Sequence, residues 1–159
     1  MKIDRGHLEG IGDVELFADC TRDELRQIRS LMTLLQPAEG TVLSRDGRRA
    51  QQFLIVSGGQ AHLTHRTEDG NSKVVDLEAG DFLGGVELLT GTPFAATATA
   101  GAGLTIFASS VAEFRSILDI APSVERKIWQ ILERRAWETV EREVPQRSLV
   151  RTDGVDVAA

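Results

Sequence analysis

The chain is short of cysteine, of long apolar runs and of basic charge, and each shortage closes off a class of function. One cysteine, Cys20, in 159 residues permits no internal disulfide, which fits a reducing cytoplasm. Its place just before a helix start reads as a small buried or half-buried residue rather than a reactive thiol. No apolar run approaches the ~20 residues of a membrane-spanning helix, and no cleavable leader opens the sequence. Lysine and arginine number 18 against 24 aspartates and glutamates, a net charge of −6. A nucleic-acid binder normally gathers a basic face. Here Arg45, Arg48 and Arg49 cluster beside Asp46, and a solvated turn is the simpler account of them. Catalytic constellations are missing too: there is no Ser/His/Asp set, no reactive-cysteine arrangement and no phosphate-transfer loop. His62, His65 and Glu68 are metal-ligating residue types, but a strand sends residues three apart to opposite faces. Neither an enzyme nor a metal site is expected, and no cofactor.

What the chain does have is a regular punctuation. It is long enough to bury a core as one domain. Residues 1–12, rich in glycine and poor in apolar side chains, read as a flexible lead-in to a domain spanning 13–144. Residues 145–159 are polar, small and aperiodic, and read as a disordered tail. Thr21-Arg-Asp-Glu24 has the spacing of a capping box and predicts a helix through about Thr33, with Leu25, Ile28, Leu31 and Met32 facing the core. Between Leu34 and Phe107, turn signals recur every ten residues or so: Gly40, Asp46-Gly47, Gly58-Gly59, Asp69-Gly70, Gly80 and Gly101. Short apolar runs separate them, as in an all-β sandwich or jelly roll. Ser110-Val-Ala-Glu113 is a second capping box, with Phe114, Ile117 and Leu118 facing inward. Pro122 then starts a last helix over about 123–143. Trp129 and Trp137, eight residues apart, share a stripe with Leu132, Ala136 and Val140.

The most informative stretch runs from Gly80 to Ala100, Gly-Asp-Phe-Leu-Gly-Gly-Val-Glu-Leu-Leu-Thr-Gly-Thr-Pro-Phe-Ala-Ala-Thr-Ala-Thr-Ala. A glycine-rich turn entering a helix N-terminus presents backbone N–H groups and the positive end of the helix dipole. With Pro93, Ala95, Ala96 and Thr97 it resembles the phosphate-binding cassette of cyclic-nucleotide-binding domains, the module of bacterial catabolite activators and protein kinase A regulatory subunits. Leu16-Phe17 and the strand–turn–strand Phe53 to Ala61 extend the resemblance over about 14–143. It implies a mainly β fold, a jelly-roll barrel with an N-terminal helix and C-terminal helices.

The same resemblance assigns roles. Ligand contacts fall at Gly84, Gly85, Val86, Glu87, Phe94, Ala95, Ala96 and Thr97, the phosphate being met by backbone N–H groups and Thr97 assisting with its hydroxyl. Two side chains depart from the pattern: Gly85 stands where the family has its ribose-binding glutamate, and Phe94 where it has its phosphate-binding arginine. Glu87, at a position usually small, either repels a phosphate, points to solvent or slides into the ribose role. Trp129 or Trp137 could serve as a lid stacked on the base, cover the barrel, or form a dimer seam. Two functions follow. One is a stand-alone regulatory domain whose binding of cyclic AMP or cyclic GMP, or another small anion, is weakened, altered or lost. The other is a vestigial pocket in a protein-interaction module that pairs with itself or a partner through the C-terminal helix or barrel face. Restoring both side chains, by Phe94→Arg with Gly85→Glu, is expected to strengthen cyclic AMP binding. DNA binding by this chain alone is not expected, since a catabolite-activator regulator continues into a helix-turn-helix region not seen here.

Overall fold

The structure, a computed structural model, describes residues 10–135; most of the expected lead-in, the expected tail and Trp137 lie outside the described residues. Two four-stranded antiparallel sheets face each other as a jelly roll. One has the order β1 (Thr33–Leu35), β8 (Thr105–Ser110), β3 (Gln52–Gly58), β6 (Phe82–Leu83). The other has the order β2 (Val42–Ser44), β7 (Thr97–Ala100), β4 (Ala61–Arg66), β5 (Ser72–Leu77). Helices α1 (Arg22–Ser30), α3 (Val111–Ile120) and a last helix α4, helical over 122–135, pack on the first sheet; the short α2 (Gly85–Thr90) lies between β6 and β7. The mainly β jelly roll with flanking helices is therefore what the chain forms.

The central strands explain the layering. Phe53, Leu54, Ile55 and Val56 form an unbroken apolar run because β3 is covered on both faces. Phe53 and Ile55 face the helices with Phe17, Ile28, Phe107, Phe114, Ile117, Val124 and Ile128. Leu54 and Val56 point the other way, between the sheets, with Ala61, Leu77, Ala100, Leu104 and Ile106. Burying a Phe or Ile side chain contributes about 1.5–3 kcal/mol, so the helical layer is a substantial part of the fold's stability. The outer strand β5 leaves Val74 and Val75 exposed.

Both capping boxes form. Thr21 Oγ1 accepts from the Glu24 N–H at 3.1 Å, and Glu24 Oε1 accepts from the Thr21 N–H at 2.7 Å. Ser110 and Glu113 repeat the exchange at the head of α3. The first helix stops earlier than its apolar spacing predicts: α1 ends at Ser30, and Thr33 opens β1, pairing with Ala108 of β8. Met32 stays in the core from outside the helix. Cys20 is half-buried, its Sγ 3.8 Å from Ser123 Oγ, and burial pushes its thiol up.

The last helix corrects a second expectation. Its buried stripe is Val124, Ile128 and Ile131, at spacings of four and three. Trp129 lies one residue round from Ile128, about 100° on a helix, and is 41% exposed, as is Leu132. Trp129 therefore lies outside the buried core. Among the described residues no helix is long and apolar enough to cross a membrane.

Candidate functional site

The cassette begins at a tight corner. Gly80 and Asp81 leave β5 through a turn in which Asp81 Oδ2 accepts from the Glu78 N–H at 2.9 Å. Two residues of β6 follow, and then Gly84 takes φ +90° to cap α2. A Cβ on Gly84 would collide with the backbone carbonyl oxygen of Gln52; a glycine here is required by space as well as by backbone sign. Helix α2 lasts six residues and closes on Gly91, φ +75°, whose N–H donates to the Glu87 carbonyl. An irregular passage through Pro93, Phe94, Ala95 and Ala96 leads to β7.

Under α2 lies a cleft of about 240 Å³ lined by Leu63, Phe82, Leu83, Gly84, Val86, Glu87, Phe94, Ala95, Ala96, Ile131, Leu132 and Arg135. Of the eight cassette positions singled out in the sequence, six meet in this cleft and two do not. Gly85 is buried behind it: a Cβ there would stand 3.2 Å from Phe53 Cε1, 3.3 Å from Ile128 Cδ1 and 3.4 Å from Phe82 Cε2. A side chain at 85 would start against these apolar groups, which would have to give way by a few tenths of an ångström. Thr97 faces elsewhere, its hydroxyl accepting from the Asp46 N–H at 3.1 Å. Trp129 is not among the residues lining the cleft; Ile131, Leu132 and Arg135 of α4 occupy that side.

Those α4 residues were not foreseen, although the signal was present: 128, 131, 132 and 135 follow the i, i+3, i+4, i+7 rule for one helix face. Arg135 and Glu87 are the two charged residues of the cleft wall. Arg135 Nη2 lies 2.5 Å from Asp81 Oδ1, and its guanidinium sits 5.9 Å from the Phe82 ring centroid. One residue earlier, Arg134 makes a two-pronged contact with Glu15 at 2.5 and 2.8 Å, holding that carboxyl below its usual range. The end of the described part of α4 is thereby tied both to the cassette corner and to the 3-10 turn Glu15–Phe17.

Outside the cleft, His62 Nδ1 lies 2.7 Å from Asp76 Oδ1, while His65 pairs in register with Lys73. Among the described residues no group of three or more His, Cys, Asp or Glu is placed to hold a metal ion.

With this geometry in view, the family model described as "Cyclic nucleotide-binding domain" matches residues 35–120, more than half of the chain. The chain belongs to the cyclic-nucleotide-binding domain family. It is 30% identical over 121 residues to the cAMP-dependent protein kinase regulatory subunit of Blastocladiella emersonii, covering 76% of this chain and 30% of that one. It is 27% identical over 115 residues to the acetyltransferase Pat of Mycolicibacterium smegmatis, covering 72% and 34% respectively. The chain thus spans about a third of these relatives' length. The catabolite activator protein of Thermus thermophilus superposes with a TM-score of 0.73 at 21% identity, covering 84% of this chain and 63% of that one, a likeness of fold.

Proposed function

We propose that this regulatory domain binds cyclic AMP or cyclic GMP weakly, in a cassette cleft whose phosphate and ribose contacts have been replaced. The observation that carries the reading is Phe94, whose side chain lines the cleft at the position where the resemblance puts the phosphate-binding arginine. A phenyl ring offers no donor to a phosphodiester. Hydrogen bonds to charged groups contribute roughly 1.5–3 kcal/mol, and about 1.4 kcal/mol is tenfold in affinity, so this exchange weakens binding by one to two orders of magnitude. Size supports the same reading. At about 240 Å³ the cleft is smaller than the ~300–1,000 Å³ of ordinary small-molecule sites, so a nucleotide has to shift Phe94 or α4 to enter. Coupling of ligand to α4 would be the regulatory output.

The two charged wall residues supply substitutes for what is missing. Glu87 is the carboxylate available to a ribose hydroxyl, and Arg135 the guanidinium available to a phosphate once it leaves Asp81. The test is calorimetric titration of cyclic AMP and cyclic GMP into the wild type and Phe94→Arg. The variant is expected to bind at least about tenfold more tightly; equal affinity would sink the reading.

A second reading rests on Trp129 and Leu132, exposed one turn apart on α4. They suit a homodimer or partner contact, with the cleft vestigial. Absence of nucleotide binding by both wild type and variant, together with self-association lost on Trp129→Ala, would favour it.

A further inference from the structure

On the other side of Phe94 and Leu83 lies a second cleft, about 690 Å³, lined by the exposed Arg45, Arg48, Arg49, Gln51 and Gln52 and by Leu43, Leu54, Leu83 and Phe94, with the buried Ser44 among them. We infer that it is a binding site for a small phosphorylated molecule bearing an apolar group. It meets the nucleotide cleft only at Leu83 and Phe94, and it does not rest on the function proposed above.

Three observations carry this. First, the charge is concentrated and uncommitted. In a chain of net charge −6, three arginines within five residues line one cleft, and among the described residues no ion pair or side-chain hydrogen bond holds any of them. Asp46, the carboxylate in the same turn, is not part of this lining and faces the cleft of His65 and Arg66. Like charges gathered without a counter-charge repel one another, and a bound anion relieves that repulsion.

Second, the turn that carries them is held in place. The Gly47 N–H donates to the Phe94 carbonyl at 2.8 Å, and the Phe94 N–H donates to the Arg48 carbonyl at 2.9 Å. Ser44 Oγ accepts from the Ala98 N–H, Thr97 Oγ1 accepts from the Asp46 N–H, and the Arg48 N–H closes the turn on Arg45. A backbone fixed before the ligand arrives lowers the ordering cost of binding. Guanidinium forks match phosphate oxygens pairwise.

Third, the lining includes the buried Leu54 and the half-buried Leu43, Leu83 and Phe94, and the volume lies within the range of small-molecule sites, about 300–1,000 Å³. Arginines beside leucines and a phenylalanine fit a charged head and an apolar body, not inorganic phosphate alone.

The probe is geranyl pyrophosphate, which has neither base nor ribose, so its result does not bear on the cyclic-nucleotide reading. It is titrated calorimetrically into the full chain and into R45Q/R48Q/R49Q. All three side chains are exposed and none lines the cassette cleft, so the variant should keep the wild-type melting temperature and response to cyclic AMP. Binding to the wild type that weakens as salt rises, and that falls at least about a hundredfold in the variant, is expected. No binding by the wild type, or equal binding by the two, would overturn the site.

Discussion

Arg135, in the last described turn of α4, lines the cassette cleft and contacts Asp81 at 2.5 Å. The pair links α4, one wall of the cleft, to the corner from which the cassette starts. Because both partners are partly exposed, it holds position more than it adds stability. Exposed ion pairs are worth about 0.2–1 kcal/mol. A double-mutant cycle with Asp81→Asn and Arg135→Gln, read by urea unfolding, should return a coupling in that range. Amide exchange along α4 should rise in either single variant.

Gly84 and Gly85 are adjacent but fail for different reasons when replaced. Gly84→Ala places a Cβ against the Gln52 carbonyl at φ +90°, and is expected to lose about 2 kcal/mol or more. Gly85→Glu has room only by displacing Phe53, Phe82 or Ile128, and buries a carboxylate among apolar groups. A loss of about 2–3 kcal/mol is expected. Chemical denaturation of both variants checks these values; a Gly85→Glu protein as stable as wild type would refute the packing argument.

The capping boxes predict smaller, local losses. Thr21→Ala and Ser110→Ala each remove the side-chain acceptor at a helix start, and each should lower stability by about 1 kcal/mol. The two sites head different helices, α1 and α3, so the double variant should show the sum.

Glu15 predicts a pH effect. The Arg134 guanidinium holds its carboxyl below the ordinary 4.5. A depressed carboxyl contributes stability above its unfolded value and loses it as pH falls through the folded one. Stability should therefore decline below about pH 4.5, and Glu15→Gln should remove part of that decline. With half-exposed partners the difference is about 0.5 kcal/mol or less, readable as a reduced change in urea midpoint between neutral and acidic solution.

How much of this was legible beforehand depended on whether the signal was local. Capping boxes, glycine turns and the cassette corner are set by residues within a few positions of one another, and each formed where its spacing put it. The end of α1 was not legible, because Leu31, Met32 and Leu34 suit either a helix face or a strand. Pairing with β8, more than seventy residues away, decides between them. The place of Trp129 was left open for a related reason. Helix α4 carries two apolar stripes, 124/128/131 and 129/132, and only the barrel's shape selects which one is buried. In the cassette, the family resemblance singled out eight residues, of which six meet in the cleft. It could not show that a side chain at 85 would start against Phe53, Phe82 and Ile128, from three other elements.

The exposed indole of α4 has a practical side. The chain contains no tyrosine and two tryptophans, Trp129 and Trp137, both beyond Pro122. Excited in the near ultraviolet, the whole molecule emits from that one stretch, so any ligand that moves it changes the colour of the light without a label being attached.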